Sequence, residues 1–550
     1  MKKSSFIGGA FVATFGIVAS KILGLLYVVP FHQIIGEKGG ALYSYAYSLY
    51  NLFLSISTIG LPLAVSKLVS EYNALGYYNS KEKAYKIAMK VISVMSVVAF
   101  LLLFIFAPFL AKAIMGDITG GNTVEDITFV VRICSLAIVF VAALCVVRGY
   151  LQGHKYITVT SISQVVEQFV RVAVLLGGSY AAIYIFHLTI KDAVGVAVFG
   201  ACAGAIAALV YLLYKMKQSK ELKPKEYEMS EAEKKLTDKQ ILKRLLTYSL
   251  PFVFISFITS SYDLVDTLTV VKTLVNTAGY SASAAEAVMS AMTTWGGKLT
   301  IIVTSVASGV TVSLIPNISS SFVKKDMKDV EHKINKAFQM VLYTTIPMAT
   351  GLSLLAIPVW NVFYGPTEYG ASVFEFTVYL AIFASMGMNS TIIMQSLNEY
   401  KMVFISLFVG FVWNAIMNVP MMKLCYHIGL PTYYGASIAS MIGYVLSIGL
   451  CLWHINKKYH INYKETLKYF FHILFANIMM TLTILLFSNI LPITVTGFMP
   501  SIGIIAFYTI LGTIVFLGIT HYDKTIDGVF GEVYIKNLLK KVPVIKKLVK

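Results

Sequence analysis

Glu167 and Arg171 stand four residues apart inside ISQVVEQFVRVAVLL (residues 162 to 176), a stretch otherwise apolar enough for hydrocarbon. Residues at that spacing share one helix face, and Thr160, Gln164 and Gln168 extend the face into a polar stripe. An ionised side chain at the centre of a membrane helix costs about 2.5 to 3.5 kcal/mol on insertion scales, so each one needs a partner or a water-filled cavity. Taken alone, the two charges read as an ion pair that joins their helix to its neighbours. Two lysines change that balance. Lys21 lies deep in the first apolar run, and Lys298 shares a helical stripe with Thr294, Ser305 and Ser308. Neither has an acidic residue in its own run. Lys21, Arg171 and Lys298 therefore give a surplus of positive charge near mid-helix depth, the chemistry of a hydrated cavity that takes an anion. Gln168 adds a neutral hydrogen-bonding group, and Arg148 stands at the inner end of its run, as an orientation anchor or a gate. Glu167, Asp263 and Asp266 are the acidic counterparts, as local counter-ions or ion-coupling groups. Arg132 is expected to snorkel to the outer interface.

The elements that carry these residues follow from composition. The chain has 550 residues, of which 57% are apolar and 13% charged, against about 25% charged in soluble proteins. That makes it an all-α polytopic membrane protein. Fourteen apolar runs begin near residues 6, 42, 86, 127, 157, 193, 246, 288, 337, 372, 402, 433, 467 and 499, each able to supply the roughly 20 helical residues of a span. With the N-terminus inside, most of the 45 Lys and Arg residues fall in cytoplasmic segments, whereas the outside loops hold only Lys38, Lys112, Lys191, Lys272 and Lys423. The positive-inside rule then places both termini in the cytoplasm, and the net charge of +18 needs no nucleic-acid partner.

The runs divide six before and eight after a polar stretch at 215–244. A shift of 249 superposes Gly60 on Gly309, Ala88 on Ala337, Ala107 on Ala356 and Gly116 on Gly365, and LQGHKYITVTSIS (151 to 163) resembles LNEYKMVFISLFV (397 to 409). Two six-helix lobes related by a pseudo-two-fold along the membrane normal are the expectation, since an even number of spans brings both halves in from the same side. The organisation reads as an N-lobe at 1–214, a basic cytosolic linker at 215–244, a C-lobe at 245–456, two extra helices at 457–522 and a basic amphipathic cytosolic tail at 523–550.

Other chemistry is not supported. The five cysteines have no CxxC spacing and read as small buried side chains; the nine histidines give no metal spacing, so no metal or other cofactor is expected. No Walker A, HExxH or nucleophile-elbow motif occurs, and the outside loops are too short for the catalytic loop of a polytopic glycan enzyme. The expectation is a transporter. Pro30, Pro62, Pro108, Pro251, Pro316, Pro347 and Pro358 fall in or near spans, where they can bend helices. Tyr43, Tyr45, Tyr47 and Tyr50 read as interfacial belt residues more than cavity lining.

Taken together, SKILGLLYVVPF (20 to 31), GLPLAVSKLVSEYNALG (60 to 76), VRGYLQG (147 to 153), SQVVEQFVRVAVLL (163 to 176) and GVTVSLIPNIS (309 to 319) resemble the multidrug/oligosaccharidyl-lipid/polysaccharide (MOP) exporter superfamily. Within it the resemblance is to MurJ-type lipid II flippases of the Gram-positive kind, near their SpoVB-like relatives. The resemblance implies two lobes around a cationic cavity, helices 13 and 14 as a lipid-tail groove, and alternating access for an undecaprenyl-pyrophosphate-linked peptidoglycan precursor. Lys21 matches the basic residue of the helix 1 motif, Lys298 that of helix 8, and Glu167 and Arg171 the EQ-xx-R motif of helix 5. Tyr27 and Ser55 stand where the Gram-negative branch carries further arginines, which sets its arginine cluster apart from this chain. Implied partners are a lipid-linked anionic glycan, membrane lipids and other cell-wall synthesis proteins, with a monomer sufficient, in the bacterial cytoplasmic membrane. Membrane potential, Na+ or H+ remain open as driving forces. A flippase for another lipid-linked glycan, from capsule, teichoic or spore-cortex synthesis, is the nearest alternative, and a cation-coupled multidrug exporter the next.

Overall fold

The computed structural model describes residue 24 and residues 27–58, 60–219, 231–234, 236–494 and 497–531, with the side chains of 56–58, 232 and 310–316 excepted. All regular structure among them is helical. Among the described residues ten helices are long and apolar enough to cross a membrane, or eleven with one bent pair counted as a span. Two compact units divide the chain, Met1–Thr294 and Trp295–Lys550.

The first unit holds α1 (Val28–Thr58), α2 (Leu61–Leu75), α3 (Tyr78–Met115), α4 (Val124–Gly153), α5 (Ile157–Ala173), α6 (Ile190–Gln218), α7 (Asp238–Ala278) and α8 (Ala282–Ser290). Helix starts are written locally. Thr123 with Asp126, Thr189 with Asp192 and Thr237 with Gln240 form reciprocal capping boxes at the heads of α4, α6 and α7. Non-helical Gly36, at φ 63°, kinks α1 between the expected first and second spans. The expected second span then breaks at Gly60, φ 92°, and continues as α2 with Pro62 in its first turn. A Cβ on Gly60 would lie 2.6 Å from the Ser249 carbonyl, so glycine lets α7 come close. The ends of the expected linker are structured: α6 runs to Gln218, α7 begins at Asp238, and Glu233 accepts the Ser80 backbone N–H at 2.7 Å, capping α3 from far along the chain.

The second unit holds α9 (Gly296–Val323), α10 (Met327–Leu354), α11 (Ala356–Tyr364), α12 (Gly370–Thr377), α13 (Leu380–Ser396), α14 (Tyr400–His427), α15 (Tyr434–Tyr459), α16 (Lys464–Ser488), α17 (Phe498–Tyr522) and α18 (Thr525–Phe530). Helices α10 and α11 meet at 76°, just ahead of Pro358. Of the other expected bending points, Pro108, Pro251 and Pro347 sit inside continuous helices.

The internal repeat is visible in the turns. Gly116 and Gly365, paired by the shift of 249, both end helices at positive φ, 63° and 76°, and each N–H returns to the carbonyl four residues back. The same shift puts Gly76 (φ 75°) on Lys325 (φ 59°), with Tyr77 bonding to Tyr72 and Asp326 to Ser321. Between α4 and α5, Lys155 (φ 66°) answers Asn398 (φ 61°) between α13 and α14, and Tyr156 to Leu151 is repeated as Glu399 to Met394, both at 2.9 Å. That last pair needs a shift of 243, so the second half is six residues shorter between these turns. Gly60 and Gly309 do not correspond in conformation, since Gly309 lies inside α9.

Candidate functional site

Helix α5 is held by glycines on α6. A Cβ on Gly200 would meet the Arg171 carbonyl at 2.8 Å, and one on Gly204 the Glu167 carbonyl at 2.6 Å. Backbone contact this close fixes the rotation of α5 and hence where its polar stripe points. The VRGYLQG stretch does the same for α4, since Gly149 and Gly153 press against Pro62, Ser66 and Val69 of α2.

The expected pairing of Glu167 with Arg171 is not formed. Arg148 of α4 pairs with Glu167 instead, Nη2 to Oε2 at 2.7 Å, and its Nε donates to Ser163 Oγ at 2.9 Å. Ser163 and Glu167 are one turn apart, so one guanidinium clamps two successive turns of α5. Arg148 thus acts as an anchor for the stripe. Arg171 turns to α1: its Nη2 donates to Tyr47 Oη at 2.5 Å, and the guanidinium lies 5.3 Å from the Tyr47 ring centroid. Its Nε is buried with no hydrogen-bond partner among the described residues. Tyr47 stacks on Tyr43 at 4.3 Å and meets Tyr50 edge-on at 5.5 Å. Tyr43, Tyr45 and Tyr50 are buried, which overturns their reading as interfacial belt; Tyr43, Tyr47 and Tyr50 form an aromatic wall behind Arg171, while Tyr45 reaches Glu286 instead.

The remaining expected residues are placed as follows. Lys21 lies outside the described residues. Gln168 faces the end of the first span, its Nε2 3.5 Å from the point a Gly24 Cβ would occupy. Asp263 is exposed and Asp266 half-buried on α7, where the nearby Thr267 hydroxyl bonds to the Asp263 carbonyl and to Ser48. Lys298 is half-buried in the first turn of α9, in the second unit. Arg132 is not a free snorkelling cation. Pro108 lacks the N–H that would bond to the Phe104 carbonyl, and Arg132 Nε donates there at 3.3 Å, its guanidinium over the Phe104 ring at 5.1 Å.

The spans that carry Arg171 and Lys298 both contain π-turns beside the cation. Val174–Gly178 and Ala181–Ile185 follow Arg171, and Ala291–Trp295 precedes Lys298. Such wide turns recur at functional sites because they re-aim side chains within a helix. The sequence offered no period for them. Tyr47, Ser163, Gly200 and Gly204 were also missed, although GACAG (200 to 204) is a small-xxx-small signal that could have been read.

The second unit holds a half-open cavity of about 400 Å³ between α10, α11, α16 and α17, lined almost wholly by apolar groups such as Met348, Leu352, Ile484 and Phe516. Tyr343, which also lines it, makes a 2.8 Å hydroxyl contact with Thr520 of α17. Its volume and lining suit an aliphatic chain. Among the described residues no group of three His, Cys, Asp or Glu could hold a metal ion, and all five cysteines are unpaired.

Comparison with known proteins fits this architecture. Residues 6–322 match the family model described as "Polysaccharide biosynthesis protein". The chain is 34% identical over 450 residues to "Lipid II flippase MurJ" of Bacillus subtilis (strain 168), covering 81% of each. Among solved structures it is similar to "Lipid II flippase MurJ, inward closed conformation", with TM-score 0.63 at 15% identity over 94% of this chain and 99% of that one. It is also similar to the inward-facing conformation of a multidrug resistance MATE family transporter of the MOP superfamily, with TM-score 0.61 at 13% identity over 80% and 97%. The two structures speak for the fold, and the sequence matches go further: the chain belongs to the polysaccharide biosynthesis protein family and, within it, to the MurJ group.

Proposed function

We propose that this chain is a flippase that moves lipid II, the undecaprenyl-pyrophosphate-linked peptidoglycan precursor, from the inner to the outer leaflet of the bacterial cytoplasmic membrane by alternating access. The observation that carries the reading is the 34% identity, over 81% of both chains, to a relative named as a lipid II flippase. The side chains fit an anionic head group. Arg148 neutralises Glu167, so the charge left for a ligand on α5 is that of Arg171, whose buried Nε keeps a donor unspent among the described residues. A pyrophosphate is a compact anion with many acceptor oxygens, and a guanidinium against a tyrosine wall binds it with little competing water.

In this reading Arg171, Lys21 and Lys298 meet the substrate, Gln168 assists, and Arg148 with Glu167 positions α5. Asp263 and Asp266 are the groups open to ion coupling, with membrane potential, Na+ or H+ as the driving force. The apolar cavity beside α16 and α17 takes the lipid tail. Two six-helix lobes carry the cycle, both termini are cytoplasmic, and a monomer suffices, working alongside other cell-wall synthesis proteins. A cation-coupled drug exporter shares the fold, but it would favour acidic groups where this chain places basic ones.

The test is lipid II flipping in reconstituted vesicles. Arg171→Ala and Lys298→Ala should each abolish transport at unchanged expression, and normal flipping by both would sink the assignment. Rescue of cells depleted of their own lipid II flippase separates lipid II from another lipid-linked glycan.

A further inference from the structure

Glu286, in α8, is fully buried. Its two carboxylate oxygens accept the Asn122 backbone N–H at 3.0 Å each, and Oε1 also accepts the Tyr45 hydroxyl at 3.4 Å. Asn122 and Tyr45 both donate, which favours the ionised form, but burial outweighs them and holds the carboxyl above its ordinary value. The α3–α4 loop crosses directly over the carboxylate: a Cβ on Gly121 would lie 2.8 Å from Oε2. Asn122 Nδ2 continues to the Lys38 carbonyl at 3.1 Å, so one carboxylate ties α8 to both the α3–α4 loop and the bend of α1. The rest of the seam is neutral, with Ser44 to Thr293 at 2.6 Å, Thr294 to the Gly40 carbonyl at 2.9 Å and Thr267 to Ser48 at 2.9 Å. Neutral contacts of that kind are worth about 0.5 to 1.5 kcal/mol each and exchange readily with water. The backbone around them turns on Gly36, Gly116, Gly120 and Gly279, all at positive φ.

We propose that Glu286 is a proton-binding latch on this end of the N-terminal unit, which the lysine distribution places outside. Protonated, it fits its buried site without a desolvation cost, and the α3–α4 loop stays down on α8. Loss of the proton to the outer solution leaves a charge that burial penalises, the carboxylate is drawn towards water, and the loop lifts. The groups that face or border it are Tyr45 on α1, Lys38 at the α1 bend, exposed Asp117 in the loop, and Glu125 and Asp126 at the head of α4, where Asp126 is spent on Thr123. Glu286 is the one ionisable residue of α8. From α7, Lys272 is engaged with the Ala113 carbonyl. The proposal uses the transport reading only for its orientation.

The test needs no substrate. Full-length protein in vesicles carries Ala285→Cys or, separately, Met289→Cys, both at fully buried positions of α8, and is probed from outside with a membrane-impermeant maleimide. Rates at about pH 8 and about pH 5 are normalised to the unfolded protein at the same pH, which removes the intrinsic thiol dependence. The expected result is labelling roughly tenfold slower in acid, a change of about 1.4 kcal/mol in opening, and slow labelling at both pH values once Glu286→Gln is added. Equal normalised rates at the two pH values for both reporters overturn the latch without any variant of Glu286. A Glu286→Gln protein that folds and keeps the parent's pH profile overturns it as well. Flipping of lipid II can succeed or fail independently of either readout.

Discussion

Arg148 and Glu167 close a 2.7 Å ion pair between α4 and α5, one turn before Arg171. The pair decides which of the charges in the polar stripe is available. Glu167 spends its charge on a neighbouring helix, and Arg171 is left against tyrosine hydroxyls, which orient it without neutralising it.

Removing one partner therefore does more harm than removing both. Glu167→Gln leaves Arg148 without a counter-ion and should cost about 2 kcal/mol, below the 3 to 5 of a fully buried pair because both side chains keep some water. Arg148→Met with Glu167→Leu should recover much of that. Thermal unfolding followed by a thiol-reactive dye, reading the buried cysteines as they emerge, measures both; a Glu167→Gln protein as stable as the parent would show that the pair positions nothing.

The glycines of α6 should be sharply position-specific. Gly204→Val forces side-chain carbon onto the Glu167 carbonyl, where even a Cβ would sit at 2.6 Å. Overpacking of this kind costs about 1 to 3 kcal/mol and would rotate α5. Gly177→Ala, with nothing within 4 Å of the new carbon, should be neutral or mildly stabilising by up to about 1 kcal/mol. Equal melting temperatures for the two variants would contradict the packing described.

Acid stability should carry the signature of Glu399. Burial pushes its carboxyl up, but hydrogen bonds from Lys458, Tyr459 and His454 outweigh that and hold it below its ordinary value. A group depressed in the folded state stabilises above its unfolded value, about 4.3, and loses that contribution as pH falls through the folded value. The α13–α14 turn should thus be insensitive between about pH 7 and pH 5 and loosen below about pH 4. Glu399→Gln should lower stability at neutral pH and flatten the acid limb, which a series of melting curves against pH would reveal.

The apolar cavity offers a chain-length test. Gly351 lines it and has nothing within 4 Å of an added Cβ, so Gly351→Phe would fill the space at little cost to folding. Transport of a substrate with its full polyprenyl tail should fall at least several-fold, while a short-chain analogue should be spared. Equal loss for both substrates would remove the cavity from the transport path.

Much of this was legible because lipid is an unforgiving solvent. Charge in a span is costly wherever it occurs, so Arg171 and Lys298 stood out on residue type alone. Gly116 and Gly365 could be paired in the sequence because a helix end at positive φ selects glycine. What could not be read was tertiary. Four-residue spacing put Glu167 and Arg171 on one face but could not say that Arg148 reaches Glu167 first. Tyr43 and Tyr50 were assigned to a belt because tyrosine suits both an interface and a packed interior. Arg132 looked like an anchor because its acceptor, the Phe104 carbonyl, is created by a proline on another helix. Glu233 lay unremarked in the expected linker because its partner is a backbone N–H at the head of α3.

The repeated turns have a consequence for the chain's ancestry. Counted from the α4–α5 and α13–α14 turns, Gly200 falls on Gly443, Gly204 on Ser447 and Arg171 on Asn414, which donates to Ser440 at 2.5 Å. Small residues at the helix contact persist while the cation has no counterpart. The halves inherited a backbone and parted in electrostatics. A search for kinship by side-chain identity would underrate them, whereas a register of left-handed positions recovers the duplication even where lysine answers glycine.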